Sequence, residues 1–136
     1  MIVKTLAKVL GTPNHVRGDA FESRRILVAA DNLGYSLHDT VVRAGSEQRL
    51  EYKNHVESNY VIAGQGAVEN LRTGEVFPLA DGSLYTLDEH EPHMLRAQTD
   101  MRIVCIFTPA LGGTETHDAD GSYSAGATVM PRDLPK

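Results

Sequence analysis

The stretch from Tyr52 to His93 constrains this chain more than any other part of it. It opens with Tyr52, His55 and Glu57 around an apolar run, and it closes with Pro78, Asp81, Gly82, Tyr85 and His93. Between the two ends stands Gly64-Gln65-Gly66, a tight-turn signal that predicts one strand folded back on the next, with both ends sharing one side of a sheet. Side chains alternate along a strand, so His55 and Glu57 project the same way, as do Ser83, Tyr85 and Leu87. One face therefore collects Glu57 and Tyr85. His93 follows Pro92, and a new strand is expected to begin there. Carboxylate, phenol and imidazole together make a mixed oxygen and nitrogen set, which suits a divalent first-row metal such as iron, manganese or zinc.

The remaining residues allow one domain around that stretch. A chain of 136 residues buries about two thirds of its unfolded surface in a single core. The formal charge of −5 argues against a nucleic-acid surface, because phosphate binding wants a basic patch. No apolar run approaches the ~20 residues that cross a bilayer, and Met1-Ile-Val-Lys4 does not open a signal peptide. The single cysteine, Cys105, excludes an internal disulfide. A cytoplasmic protein acting on a small molecule, with no membrane and no nucleic-acid partner, is the expectation.

Read in order, residues 2 to 10 suggest a strand and then a short helical turn, stopped by Gly11-Thr12-Pro13-Asn14. In a strand over 24 to 29, Arg24 and Arg25 face opposite sides and only one points inward; the alternative leaves both solvated. Ser36, His38, Thr40 and Val42 share one face, which either lines a polar barrel interior or looks outward to water. His55 reads by default as a hydrogen-bonded structural histidine. Glu57 is harder to dismiss, because a carboxylate on a buried strand needs a cation or several donors. Tyr85 alone would read as core or rim, and His90 falls in a polar turn. In Met101 to Thr108, Ile103, Cys105 and Phe107 share a face. Beyond Pro109 the composition is that of a surface tail, unless Glu115 and His117 reach back over the barrel mouth as proton donor and acceptor.

The pattern His55-x-Glu57, then Gly64-x-Gly66, then Pro78-x-x-x-Gly82-x-x-Tyr85 with His93 beyond resembles the two metal-binding motifs of the cupin superfamily. It departs from the usual cupin first motif, His-x-His followed by a glutamate, in having Glu57 at the second position. One branch is closer. Tyr85-Thr-Leu-Asp88-x-His90-x-x-His93-x-x-Arg96, Phe107-Thr-Pro109 and Glu115-x-His117-x-x-Asp120-Gly121-Ser122-Tyr123 are similar to the L-ectoine synthase family over nearly the whole chain.

That resemblance implies an all-β cupin double-stranded barrel with little helix, its strands running through roughly 25 to 108, in one domain spanning 1–136 whose segment 109–136 covers the barrel mouth. It implies closure of N-γ-acetyl-L-2,4-diaminobutyrate to ectoine with loss of water. It implies iron (Fe2+) at the residues matching Glu57, Tyr85 and His93, with His55 behind them or as a weaker ligand. It selects Arg25 over Arg24, and puts Phe21 where the family usually has tryptophan. Arg25 and Thr40 are then expected to hold the substrate carboxylate, Tyr52, Cys105 and Phe107 to shape the cavity, and Glu115 and His117, with Tyr52, to carry protons. A homodimer is implied as well. Two alternatives from other classes are another metal-dependent cupin, such as an oxygenase, and a cupin that binds a small molecule without catalysis.

Overall fold

Alternation with a period of two governs nearly the whole chain, and the computed structural model, which describes residues 1–125, turns it into strands. Among the described residues these are β1 (His15–Arg17), β2 (Phe21–Leu27), β3 (Ser36–Val42), β4 (Glu47–Leu50), β5 (Val56–Ala63), β6 (Gly66–Asn70), β7 (Val76–Leu79), β8 (Leu84–Leu87), β9 (His93–Ala97) and β10 (Met101–Thr108). Helix is confined to α1 (Leu6–Val9) and a 3-10 turn at Ala29–Asp31. The strands pair antiparallel in two sheets, ordered β1-β2-β3-β10-β5-β8 and β4-β9-β6-β7. This is the all-β cupin architecture that the sequence leads one to expect.

The inner faces of the sheets form the core. Val42, Val61, Met101, Ile103, Phe107 and Leu111 are almost completely buried there. β10 is the central strand: it pairs with β3 on one side and β5 on the other, and Ile103, Cys105 and Phe107 all point inward as the alternation predicts. The same register turns Ser36, His38 and Val42 of β3 inward, with Thr40 between them partly exposed. Arg24 and Arg25 do face opposite sides. Arg24 pairs outside with Asp39, which also takes Arg102, whereas Arg25 is inside and has no solvent exposure.

Three expectations need correction. The Gly64-Gln65-Gly66 turn does not make a hairpin, because β5 belongs to the six-stranded sheet and β6 to the four-stranded one. It is a corner that carries the chain between sheets. Its glycines are required by close approach: a Cβ on Gly64 (φ +105°) would lie 2.3 Å from the Asp100 carbonyl, and one on Gly66 2.2 Å from that of Arg96. The second correction concerns the N-terminus, where residues 2–5 form no strand. Lys4 instead ties this segment across β2, donating to the Ile26 carbonyl at 2.9 Å and pairing with Asp31 at 2.8 Å. The sheet also starts earlier than residue 25, with β1 and the first half of β2.

After β10 the chain passes through Pro109 into an arm without regular structure, whose Ala110, Leu111, Ser122 and Tyr123 are buried. The expectation for 109–136 extends past residue 125, and that last part lies outside the described residues.

Candidate active site

A cavity of about 40 Å3 lies between the sheets. Alternation on seven strands builds its wall: Phe21 and Ser23 from β2, His38 and Thr40 from β3, Gln48 and Leu50 from β4, Glu57 and Asn59 from β5, Tyr85 from β8, Leu95 from β9, and Cys105 and Phe107 from β10. Tyr52 completes it from the loop after β4, and the arm contributes His117 and Tyr123. Of the residues expected at the site, Phe21, Thr40, Tyr52, Glu57, Tyr85, Cys105, Phe107 and His117 therefore meet around one space.

Glu57 and Tyr85 come together because β5 and β8 are neighbours. Glu57 stands opposite Leu87 and Asn59 opposite Tyr85, so carboxyl and phenol are diagonal partners on one face. Burial pushes the Glu57 carboxyl up to about 8, and burial, then Glu57, raises the Tyr85 phenol well above its ordinary value. Two acidic groups held in their neutral forms by a dry wall are groups that a cation would ionise.

His93 comes from the other sheet. Its Nδ1–H donates to the Glu91 carbonyl at 2.9 Å, which leaves Nε2 with its lone pair bare, and that nitrogen is buried without a partner. The ring lies 5.9 Å from that of Tyr52 and shares with Tyr85 the wall of a second cavity of about 90 Å3. Among the described residues no three His, Cys, Asp or Glu side chains gather as a metal set, so a centre here needs the Tyr85 oxygen as its third donor. The bare Nε2 and the buried Glu57 carboxyl have the donor chemistry for it, but they border different cavities, with Tyr85 alone common to both.

The proton-carrying candidates separate. The Tyr52 hydroxyl, kept protonated by burial, is hydrogen-bonded to His117 Nε2 at 3.0 Å. Burial, and behind it Arg25, lowers the His117 imidazole to about 4, so the ring is neutral at physiological pH. It stacks on Tyr123 at 4.4 Å and meets the edge of Phe21 at 5.4 Å. Glu115 does not line the cavity. Its carboxylate accepts the N–H groups of Gly112, Gly113 and Thr114 and lies 3.8 Å from Arg25. Arg25 likewise sits behind the wall, with Nε on Ser23 Oγ at 3.1 Å, one terminal nitrogen on the Glu115 carbonyl at 2.6 Å and the other on the Tyr123 hydroxyl at 3.2 Å. His55 is buried away from this space, with an unpartnered Nδ1 and its ring 6.0 Å from Phe107. His90 is exposed as expected.

Sequence reasoning missed Asn59, Ser23, Gln48 and Tyr123 as cavity residues. Asn59 and Ser23 were legible in principle, each two positions along a strand from a residue already singled out, and Asn59 Nδ2 is another buried donor without a partner. Tyr123 closes the run Glu115-x-His117-x-x-Asp120-Gly121-Ser122-Tyr123 that carries the family resemblance, but nothing in its local spacing turns it inward.

An antiparallel barrel enclosing a partly polar cavity is the cupin fold, and it matches an RmlC-like cupin from Shewanella frigidimarina (TM-score 0.59, 18% identity, 71% of this chain and 82% of that one). The crystal structure of ectoine synthase from P. lautus is much nearer, with a TM-score of 0.83 and 45% identity over 89% of this chain and 87% of that one. L-ectoine synthases from Oceanobacillus iheyensis and Halalkalibacterium halodurans are 52% and 48% identical over 123 residues, covering 90% of this chain and 96% and 95% of theirs. The family model for ectoine synthase matches residues 1–127, and the chain belongs to that family.

Proposed function

We propose that this chain is a hydro-lyase that closes N-γ-acetyl-L-2,4-diaminobutyrate into the cyclic amidine ectoine, with an iron(II) ion held by Glu57, Tyr85 and His93. The observation that carries the reading is the ectoine synthase match over residues 1–127, which spans every element of the cavity wall. In the reaction the α-amine nitrogen forms a bond to the acetyl carbonyl carbon, and the carbonyl oxygen then leaves as water. When bound, the metal supplies Lewis acidity that polarises that carbonyl.

The chain's own residues supply the rest. The substrate is a flexible chain that must fold back on itself, and a wall set by Tyr52, Cys105 and Phe107 selects the folded conformer, an effect bounded by the ~7 to 11 kcal/mol of good intramolecular reactions. The rings of Phe21, His117 and Tyr123 border the same space. Thr40 and Ser23 offer hydroxyls to its carboxylate, with the charge of Arg25 one hydrogen bond behind Ser23. The Tyr52 and His117 pair takes protons from the amine and returns them to the departing oxygen, and Glu115 holds the loop that carries His117.

We also propose a cytoplasmic homodimer that makes a compatible solute under osmotic stress. No helix among the described residues is long and apolar enough to cross a membrane. The outer face of the six-stranded sheet exposes Tyr60, Ile62, Leu84 and Ile106, an apolar patch that a second copy would cover. Sedimentation of the purified chain tests the dimer. Anaerobic incubation of the iron-loaded chain with the acetylated diamino acid tests the reaction: ectoine should form without oxygen, and absence of product at every salt and pH would overturn the assignment.

A further inference from the structure

The mechanism above makes no use of His38, although it is the most completely bonded polar residue of the cavity wall. It lies at the middle of β3, opposite Arg25 on β2 and opposite Cys105 on β10, and it is 1% exposed. Its Nδ1 is 3.3 Å from Ser23 Oγ and its Nε2 3.1 Å from Ser36 Oγ. Each serine hands the connection on. Ser23 Oγ accepts Nε–H of Arg25, whose terminal nitrogens hold the Glu115 carbonyl and the Tyr123 hydroxyl. Ser36 Oγ accepts the backbone N–H of Leu111 at 3.1 Å, and the Leu111 carbonyl accepts the N–H of Ala29 at 2.8 Å.

Both ring nitrogens are used. Burial, with the Arg25 charge beside it, lowers the His38 imidazole well below its usual value, so the ring is neutral with one N–H and one lone pair. One serine then gives its hydroxyl proton to the ring while the other accepts from it, so that both ring nitrogens are satisfied in either tautomer. No side chain in the neighbouring register positions duplicates this bridge: Cys105 turns its thiol to Thr40 and the Ile103 carbonyl.

We infer that His38 is a positioning residue that sets the arm over the cavity, one ring nitrogen ordering Ser23 and through it Arg25, the other ordering Ser36 and through it the backbone at Leu111. The arm is thereby held at its start, at Glu115 and at Tyr123, and His117 is carried between the last two. The inference uses the proposed reaction only in giving His117 a task.

Two substitutions divide the bridge. An asparagine amide reaches the place of Nδ1 and a glutamine amide the place of Nε2, so His38→Asn keeps the Ser23 branch and His38→Gln keeps the Ser36 branch. Amide hydrogen exchange of the full chain is measured by NMR at Leu111, with Val104 of β10 as internal control. In His38→Asn, Leu111 exchange should rise about ten-fold or more, as for loss of a buried bonded partner, while His38→Gln stays within about two-fold and Val104 is unchanged in both. In turnover, His38→Asn should lower kcat and His38→Gln should raise KM. An equal response of Leu111 in the two variants, or a rise shared by Val104, would overturn the inference, since His38 would then be a packing residue. Exchange needs no turnover, so this result stands whether or not ring closure is observed.

Discussion

Removing one oxygen atom isolates the contact on which the proposed proton transfer depends. In Tyr52→Phe the ring remains, and with it the stack on Tyr123 at 5.4 Å and the edge contact with Phe107 at 5.0 Å. What disappears is the hydroxyl bonded to His117 Nε2 at 3.0 Å, on a Tyr52 that is only 3% exposed. A neutral buried hydrogen bond contributes about 1 kcal/mol net, and leaving its acceptor unpaired costs about 1 to 3 kcal/mol. Stability should therefore fall by about 2 kcal/mol in urea unfolding of Tyr52→Phe. kcat should fall by at least about ten-fold, toward the ~10² to 10⁴ range of general acid-base catalysis, because His117 loses the hydroxyl it exchanges protons with. A double-mutant cycle with His117→Ala gives the sharper reading. The two changes share one bond, so their coupling should be about 1 to 2 kcal/mol in stability and of the same sign in ΔΔG‡. Additivity within about 0.5 kcal/mol would refute the argument, for it would mean that phenol and imidazole act independently.

Two further outcomes follow from other parts of the wall. A Cβ at Gly18 would lie 2.7 Å from Phe21 Cε1, so Gly18→Ala should push that ring toward the cavity and raise KM several-fold, with a stability change below about 1 kcal/mol because the far end of a side chain gives way. His117 stays neutral in the folded chain down to about 4, whereas an unfolded imidazole takes up its proton near 6.5. Between those values the unfolded state binds more protons, so its contribution to stability is intact above pH 6.5 and is lost as the pH falls toward 4, by about 3 kcal/mol at ~1.4 kcal/mol per pH unit. Urea midpoints of the wild type and His117→Ala across this range should converge as the pH falls; parallel curves would contradict it.

Much of this was written in alternation. The inward set of β10, the polar inward row of β3 and the shared face of Glu57 and Tyr85 follow from a period of two, because a strand leaves its side chains no other choice. The choice of Arg25 over Arg24 depends on the register against β3, which sets Arg25 opposite His38 and Arg24 opposite Asp39, and the family resemblance selects the same residue. What alternation cannot encode is which sheet a strand joins. Gly64 and Gly66 look like a hairpin locally, and only the backbone of residues 96–101 pressing on them makes them a corner. The arm was illegible for a related reason. Its composition is that of an exposed tail, and Tyr123 becomes a cavity residue through a bond to Arg25 and stacking on Tyr52, partners far away in sequence. Glu115 shows the converse: its spacing to His117 suggested a pair, but three loop N–H groups claim the carboxylate.

The central claim is that one cation, gripped by oxygen atoms of Glu57 and Tyr85 and the bare nitrogen of His93, makes the cavity competent for ring closure. Stepwise addition of iron(II) to chelator-stripped protein under anaerobic conditions, with product formation read at each step, tests it directly. Activity should climb linearly from near zero and level off at one iron per chain, with no such rise in His93→Ala. Full turnover in the stripped protein, or an unaltered titration in that variant, would contradict it.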